Sequence, residues 1–303
     1  MGGVGRARAR RRARPLPGPG RRVPGLGART RRPERGRIAA GIMEHHEHQE
    51  SAARPLFGVE AGVAPVIIHT PHAGLLIPDM PGCRLASPAM FERTAAIVRD
   101  RHAAPLGRFL RSATGGTLMI AHATRLWCDV ERYPDDREIM NRVGMGAIPV
   151  ADIDGDDLYE TGYSPDANER GRRFRLMYAP WHRMLDHLAD GMIADTGRAT
   201  LLDAHTYPKD PLPFEPHKGE PRPEVTVGHN GDIPSRRLAE RVAGRLADLG
   251  LTVGLNTARH GAITPNNADP RRITAVKIAV REDAAERDGM PEAVAAAVAE
   301  AIR

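Results

Sequence analysis

The sequence has 303 residues, with 44 Lys and Arg, 38 Asp and Glu, and a formal net charge of +6. Thirteen Arg and one acid, Glu34, lie within residues 1–42, so residues 43–303 carry a net charge of −6. We therefore expect no nucleic-acid partner, because a binding surface needs clustered cations on the folded part; the alternative is association with nucleic acid through the Arg-rich residues 1–42. The sequence contains no run of 18 apolar residues, so it predicts no membrane-spanning helix. Two cysteines outside any C-x-x-C motif predict free thiols and a cytoplasmic protein.

The chain begins with a leader, residues 1–50, that is rich in Arg, Gly and Pro up to residue 42. Such low-complexity composition predicts disorder. Two interpretations stay open: Met43 is the true start of translation, or the leader is a nonspecific anion-binding tail. Three histidines in "EHHEHQE" predict a solvated segment, since nothing there would hold metal-ligand geometry. Residues 51–303 are expected to form a single catalytic domain.

Strand and helix patterns alternate along residues 51–303. Short apolar runs predict strands over 64–70, 117–123, 125–130, 199–207, 224–230, 251–256 and 273–281. Helices are predicted from the N-cap Ser87, over 168–195 with a break at Pro180, over 235–250 with Ser235 as N-cap, and over 290–303. This alternation predicts an α/β fold, a three-layer sandwich around a mixed, mostly parallel sheet. Ligands of such sheets bind at the carboxyl ends of strands.

Polar side chains follow three predicted strands at the point where each is expected to end. They are His72, then Asp129, Glu131 and Arg132, and finally Asp203 and His205. Two histidines and one carboxylate with an open fourth position form the pattern of a catalytic zinc site. The alternative for any one of these histidines is a hydrogen-bonded loop residue.

Several ordered motifs resemble the N-formylglutamate amidohydrolase family. They are "TPHAG", "DVERYPDD", "YAPWH", "LLDAHTYP", "PRPEVTVGHN" and "HGAITP", spread over residues 64–283. The resemblance implies a zinc-exopeptidase-like (phosphorylase/hydrolase-like) fold. It also implies an enzyme of histidine degradation that hydrolyses the formamide bond of N-formyl-L-glutamate, or of a similar N-acyl amino acid, and gives formate. The oligomeric state stays open.

The resemblance also implies Zn²⁺, or another divalent metal, held by His72, Glu131 and His205. Asp129 is the alternative to Glu131 as the carboxylate ligand. Asp203 is then expected to orient a ligating imidazole by a hydrogen bond without itself binding the metal. The same role is expected for Asp129 if Glu131 is the ligand.

The implied substrate is a small dianion, which needs guanidinium partners because Arg binds carboxylates bidentately. Arg132 is the first candidate because it lies beside a proposed metal ligand. Arg142 and Arg281 are further candidates for a guanidinium partner of the substrate. Asn230 and His229 are candidate donors to its formyl or carboxylate oxygen, and His217 is a candidate lid residue. For Arg142 and Arg281 the alternative is a surface salt bridge.

One position departs from the family pattern. The last strand of the family carries a Glu that resembles a general base, and this chain has Ala279 there. The candidate replacements are His260, Glu282 and Asp283, of which His260 carries an imidazole, a side-chain type that often serves as a general base. The alternative function is therefore a catalytically impaired relative that binds a metal and a small dicarboxylate.

Overall fold

The structure is a computed structural model that describes residues 54–216, 218–267 and 269–303. The leader predicted over residues 1–50 and the lid candidate His217 lie outside the described residues. Within the described part, no helix is both long enough and apolar enough to cross a membrane. Cys83 and Cys128 are free thiols, as predicted.

The described residues form one sheet of seven strands. These are β1 Phe57–Glu60, β2 Val66–Thr70, β3 Thr117–Ala121, β4 Ala199–Tyr207, β5 Val225–Gly228, β6 Val253–Leu255 and β7 Ile273–Arg281. The spatial order is β1-β3-β2-β4-β7-β5-β6. Four pairings are parallel, whereas β1 with β3 and β5 with β7 are antiparallel. The predicted mixed, mostly parallel sheet is confirmed.

Helices cover both faces of the sheet. They are α1 Pro88–Val98, α2 Ala103–Thr114, α3 Ala167–Arg173, α4 Ala179–Thr196, α5 Ile233–Asp248, α6 Glu282–Ala285 and α7 Met290–Ile302. Apolar residues of α2, α5 and α7 pack on one face. Trp181, Leu185 and Ala189 of α4 pack on the other face, against Ile67 and Leu201. The two apolar cores make the predicted three-layer α/β sandwich.

Two helix starts test the capping predictions. Ser87 caps α1 as predicted, because its Oγ accepts a hydrogen bond from Met90 N at 3.2 Å. The prediction of Ser235 as the cap of α5 is wrong. Asp232 caps this helix and accepts from Ser235 N at 2.8 Å, while Ser235 is buried and accepts from Ala275 N.

The strand predicted over 125–130 is also wrong, since these residues form turns. Trp127 and Val130 are buried in the core on the α4 side, and Asp129 N donates to Ala147 O. An apolar run reports burial rather than extended backbone, which explains the error. The sequence analysis also missed strand β1, which lies at one edge of the sheet and pairs with β3.

The break or kink expected at Pro180 appears as a local change of helix type, while the helical backbone continues from Ala167 to Thr196. A π-helical turn, Phe174–Tyr178, separates α3 from α4, which begins at Ala179. Proline lacks an amide donor, and its ring excludes the carbonyl four residues earlier. The wider turn just before Pro180 accommodates both effects.

Candidate active site and metal centre

Strand β4 brings Asp203 and His205 to one face of the sheet. The strand predicted over 199–207 is confirmed by β4, so Asp203 and His205 lie within this strand and not at its end. Residues two apart in a strand point to the same face. Leu201 lies in the core on the α4 side, so Asp203 and His205 enter that side as well, whereas Leu202 enters the opposite core. The polar pair lies on the sheet face, beyond the apolar part that α4 covers.

Two loops bring further donors to this face. His72 lies in the turn after β2, and Asp100 lies in the short connection between α1 and α2. The loops are tied together because Asp100 N donates to His72 O at 3.1 Å. Both side chains are buried, although both residues follow the ends of regular elements. Asp100 was missed by the sequence analysis, since an acid among arginines after a helix is typical of a solvated terminus.

Asp100 faces the Nδ1 atoms of both histidines. Its Oδ2 lies 2.7 Å from His205 Nδ1 and 3.9 Å from His72 Nδ1, and it accepts a hydrogen bond from Thr206 N at 3.2 Å. One donor atom from each of His72, Asp100 and His205 lies within 4.8 Å of the other two. These three side chains can therefore share one metal ion.

Three other carboxylates face the Nε2 atoms. Asp129 Oδ1 lies 2.9 Å from His72 Nε2, and Asp203 Oδ1 lies 2.5 Å from His205 Nε2. Glu131 Oε2 lies 3.5 Å from His72 Nε2 and 3.2 Å from His205 Nε2. Asp129 and Asp203 thus hold the ring nitrogens that point away from Asp100. Glu131, the carboxylate ligand implied by the resemblance, faces the same Nε2 atoms as Asp129 and Asp203.

Burial and charge together set the pKa values of this cluster. Burial disfavours the charged imidazole of His205, yet Asp203 and Glu131 hold its pKa well above the usual value. Burial also favours the neutral acid of Asp129, yet Arg125 and His72 hold its pKa far below the usual range. Burial lowers the pKa of His69, a β2 residue beside Asp203, to about 4. Burial also lowers the pKa of His72, so the group combines ionised carboxylates with two imidazoles that disfavour positive charge and one, His205, that attracts it.

The donor set fits a divalent metal such as zinc. Two imidazoles and one carboxylate, with space for a fourth ligand, are the usual ligands of a catalytic zinc ion. Asp129 and Asp203 supply the hydrogen-bonding carboxylates that orient metal-ligating imidazoles in metalloenzymes. Among the described residues, the four carboxylates of the cluster face three permanent cations, Arg125, Arg132 and Lys277, which leaves an excess of one negative charge. This excess favours a cation at the site.

A cavity of about 840 Å³ opens over these donors. Its lining residues include His72, Asp100, Glu131 and His205. Further lining residues come from the segment 130–140 and from residues 258–264 of the connection between β6 and β7. A small anionic substrate can therefore reach the metal donors.

A sequence model of the N-formylglutamate amidohydrolase family matches residues 64–285, which is more than half of the chain. The chain belongs to this family. It is therefore an enzyme of the amidohydrolase type, and the matched residues contain all of the donors described above.

Individual proteins of known name or structure are also similar. The N-formylglutamate deformylase of Pseudomonas putida is 29% identical over 222 residues, which are 72% of this chain and 80% of the relative. The Pseudomonas aeruginosa protein of the same name is 29% identical over 170 residues, 56% of this chain and 60% of that protein.

Two solved structures share the fold. A gene product of Agrobacterium tumefaciens aligns with a TM-score of 0.63 and 23% identity, over 81% of this chain and 92% of its own. The N-formylglutamate amidohydrolase of Ralstonia eutropha aligns with a TM-score of 0.61 and 20% identity, over 81% and 94%.

The structure places Ala279, where the family pattern carries a Glu, directly beside His205. The two residues are Cα partners across β4 and β7. The methyl group of Ala279 is fully buried and packs with Tyr207 and Ala258. This member of the family therefore has an apolar contact at that point of the site.

Three of the other predicted residues line the cavity. Arg132 lies 3.7 Å from Asp129 and 3.6 Å from Glu138, and its buried Nε has no hydrogen-bond partner among the described residues. The side-chain amide of Asn230 donates a hydrogen bond to Ala262 O and accepts one from Ala262 N. His260 Nε2 lies 2.8 Å from Glu220 Oε2.

The remaining candidates lie outside the cavity lining. Arg142 is exposed on a 3-10 helix, Ile139–Val143. Arg281 and Asp283 pair with each other, Glu282 pairs with Arg101, and His229 accepts a hydrogen bond from Gly231 N. Arg142 is exposed and the other four are engaged by these contacts, so the structure does not bring these five residues to the metal donors.

The sequence analysis also missed charged and polar residues of the cavity lining besides Asp100, including Arg125, His182, Arg259 and Lys277. Arg125 donates to Asp129 at 2.6 Å, and Arg259 donates to Glu215 at 2.9 Å. His182 faces Val130 O at 2.9 Å. Lys277 lies between two carboxylates on β7. A sequence signal existed for His182, in "YAPWH", and for Lys277, which is a lone charge within an apolar strand.

Proposed function

We propose that the chain hydrolyses the formamide C–N bond of N-formyl-L-glutamate, or of a similar N-acyl amino acid, in a metal-dependent reaction that gives formate. The observation that carries this proposal is the convergence of His72, Asp100 and His205 beneath an open cavity. The names of the Pseudomonas relatives support the substrate class. The proposed setting is the cytoplasm and histidine degradation.

The proposed ligands are His72 Nδ1, His205 Nδ1 and Asp100. This choice leaves Asp129 and Asp203 on the opposite ring nitrogens, where they fix the tautomer and orientation of each imidazole. Glu131, whose Oε2 faces the Nε2 atoms of both histidines, remains the alternative carboxylate. A divalent ion held there supplies Lewis acidity, which activates water and polarises a carbonyl group.

Arg132 is the residue that we assign to the substrate carboxylate. Its buried Nε has no hydrogen-bond partner in the part of the chain that the structure describes, and burial lowers the pKa of Arg132 even though Asp129 lies nearby. A bound carboxylate would supply the missing acceptor and compensate the guanidinium charge. Asn230, which also lines the cavity, is the proposed amide contact for a second polar group of the substrate.

Proton transfer is assigned to His260, which lines the cavity and is oriented by Glu220. Glu282 is not proposed for this role, because Arg101 binds it outside the cavity. An imidazole suits the task, since its ordinary pKa lies near neutrality.

Formate release from N-formyl-L-glutamate by the full chain tests the proposed function. We expect chelator to abolish formate release and added Zn²⁺ to restore it, because the proposed reaction needs the metal. N-acetyl-L-glutamate, from which the product measured is acetate, and N-formyl-L-aspartate serve as related substrates that vary the acyl group and the chain length. Formate release that is unchanged after complete metal removal would contradict the proposal.

The impaired-relative alternative rests on Ala279, and the substitution Ala279→Glu tests it. The side chain at 279 is fully buried against Tyr207 and Ala258, so a Glu has to displace packed atoms or lie against His205. We expect the melting temperature to fall by several degrees and formate release to stay the same or decrease. A tenfold or larger increase in kcat would instead identify a disabled site. Ala279→Gln, similar in size but neutral, is the matched control.

A further inference from the structure

A second group of metal-type donors lies beside the first. It consists of His69, Glu131 and Asp203, each of which offers an atom within 4.8 Å of the others. His69 on β2 and Asp203 on β4 are Cα partners, so their side chains leave the sheet side by side. Glu131 reaches the same point from the turn segment after β3.

His69 is the unusual member of this group. Its ring is completely buried and packs edge-on against Trp181. Although Nε2 lies 3.2 Å from Asp203 Oδ1, neither ring nitrogen has a hydrogen-bond partner among the described residues. One imidazole and two carboxylates are a common ligand set for a divalent ion. By its donor chemistry alone, the group could therefore take a metal.

Lys277 enters this group from the neighbouring strand. It is the Cα partner of Asp203 on β7, and its side chain is only 13% exposed. Its Nζ lies 3.2 Å from Asp203 Oδ2 and 3.3 Å from Glu131 Oε1. The ammonium thus contacts both carboxylates of the second group and none of the three donors of the first.

We propose that the ammonium of Lys277 is the resident cation of the His69–Glu131–Asp203 group and that it prevents a second divalent ion from binding there. A dication and an ammonium would compete for the same two carboxylates, and their mutual repulsion is strong in a buried site. The centre therefore holds one metal ion, at His72, Asp100 and His205. That first ion rests on the proposed function, whereas the exclusion of a second ion rests on Lys277.

The test is the metal content of the full chain after equilibration with Zn²⁺ and gel filtration, measured by mass spectrometry of the metal. We expect one equivalent for the wild type, two for Lys277→Ala, and one for Lys277→Arg, which retains the cation. The double variant Lys277→Ala/His69→Phe should return to one, since it removes a donor and keeps an aromatic ring against Trp181. Titration with Co²⁺, followed by its visible absorption, should give the same endpoints.

Two equivalents in the wild type would overturn the inference and leave the proposed function standing. One equivalent in a folded Lys277→Ala would also overturn it, with folding checked by circular dichroism and thermal melting. Zero equivalents in every variant would overturn the metal centre itself, and this inference with it. If Lys277→Ala does not fold, the neutral and longer Lys277→Gln carries the same expectation, and the wild-type endpoint alone can still contradict the proposal.

Discussion

Replacing Asp100 by asparagine is expected to abolish stoichiometric zinc binding and to lower kcat for formate release by at least about a hundredfold. The carboxylate oxygen of Asp100 faces Nδ1 of both His72 and His205. An amide carries no negative charge, so it is a much weaker zinc ligand and leaves the buried site without that compensation. Bound metal and formate release, measured on the same preparation, check the prediction.

Glu131→Gln is the matched comparison for Asp100→Asn, because Glu131 is the ligand implied by the sequence resemblance. We expect Glu131→Gln to retain about one equivalent of zinc, since Glu131 faces the Nε2 atoms and Lys277. If Glu131→Gln loses zinc while Asp100→Asn retains it, then Glu131 is the ligand and the metal lies on the Nε2 side.

Arg132→Met is expected to raise KM for N-formyl-L-glutamate by roughly 10- to 100-fold, with a smaller effect on kcat. A hydrogen bond to a charged group contributes about 1.5–3 kcal/mol, which corresponds to that range. The effect should fall mainly on KM because the carboxylate is bound alike in the substrate and in the transition state. Steady-state kinetics over a wide range of substrate concentration measures it.

Arg142→Met is the control for Arg132→Met. Arg142 lies on the neighbouring 3-10 helix, exposed and outside the cavity lining, so its loss should leave KM within about twofold of wild type. Equal effects of the two substitutions would show that general electrostatic attraction, and not a contact by Arg132, determines substrate affinity. A shorter cation, in Arg132→Lys, should recover part of the affinity without bidentate geometry.

Local patterns predicted most elements of the fold. Runs such as "VIIHT" and "ITAVKIAVR" are β-branched and apolar, and each forms a buried strand in the sheet. The change of helix type before Pro180 follows from proline chemistry alone, which needs no tertiary context. The prediction of a strand over 125–130 is wrong because this segment forms turns whose apolar side chains are buried. The hydrophobic pattern of such a segment does not differ from that of a short buried strand.

The candidate site shows a sharper division. The spacing of Asp203 and His205 determined by itself that both side chains share one face of β4, because strand side chains alternate with a period of two. Sequence motifs also indicated His72, Glu131 and Arg132 as residues of one region, and all three line the cavity.

Only the tertiary structure decided which carboxylate faces which nitrogen. Asp100 reaches His205 across 105 residues of sequence, and its position depends on how the α1–α2 connection packs beside β2 and β4. Lys277 meets Asp203 through the β4–β7 register, which parallel pairing sets over 74 residues. The sequence by itself determined the fold class, the alternating face of β4 and the residue types of the site. The geometry of the metal ligands and the positions of the cations arise from contacts between residues far apart in the chain. No local sequence pattern predicts such contacts.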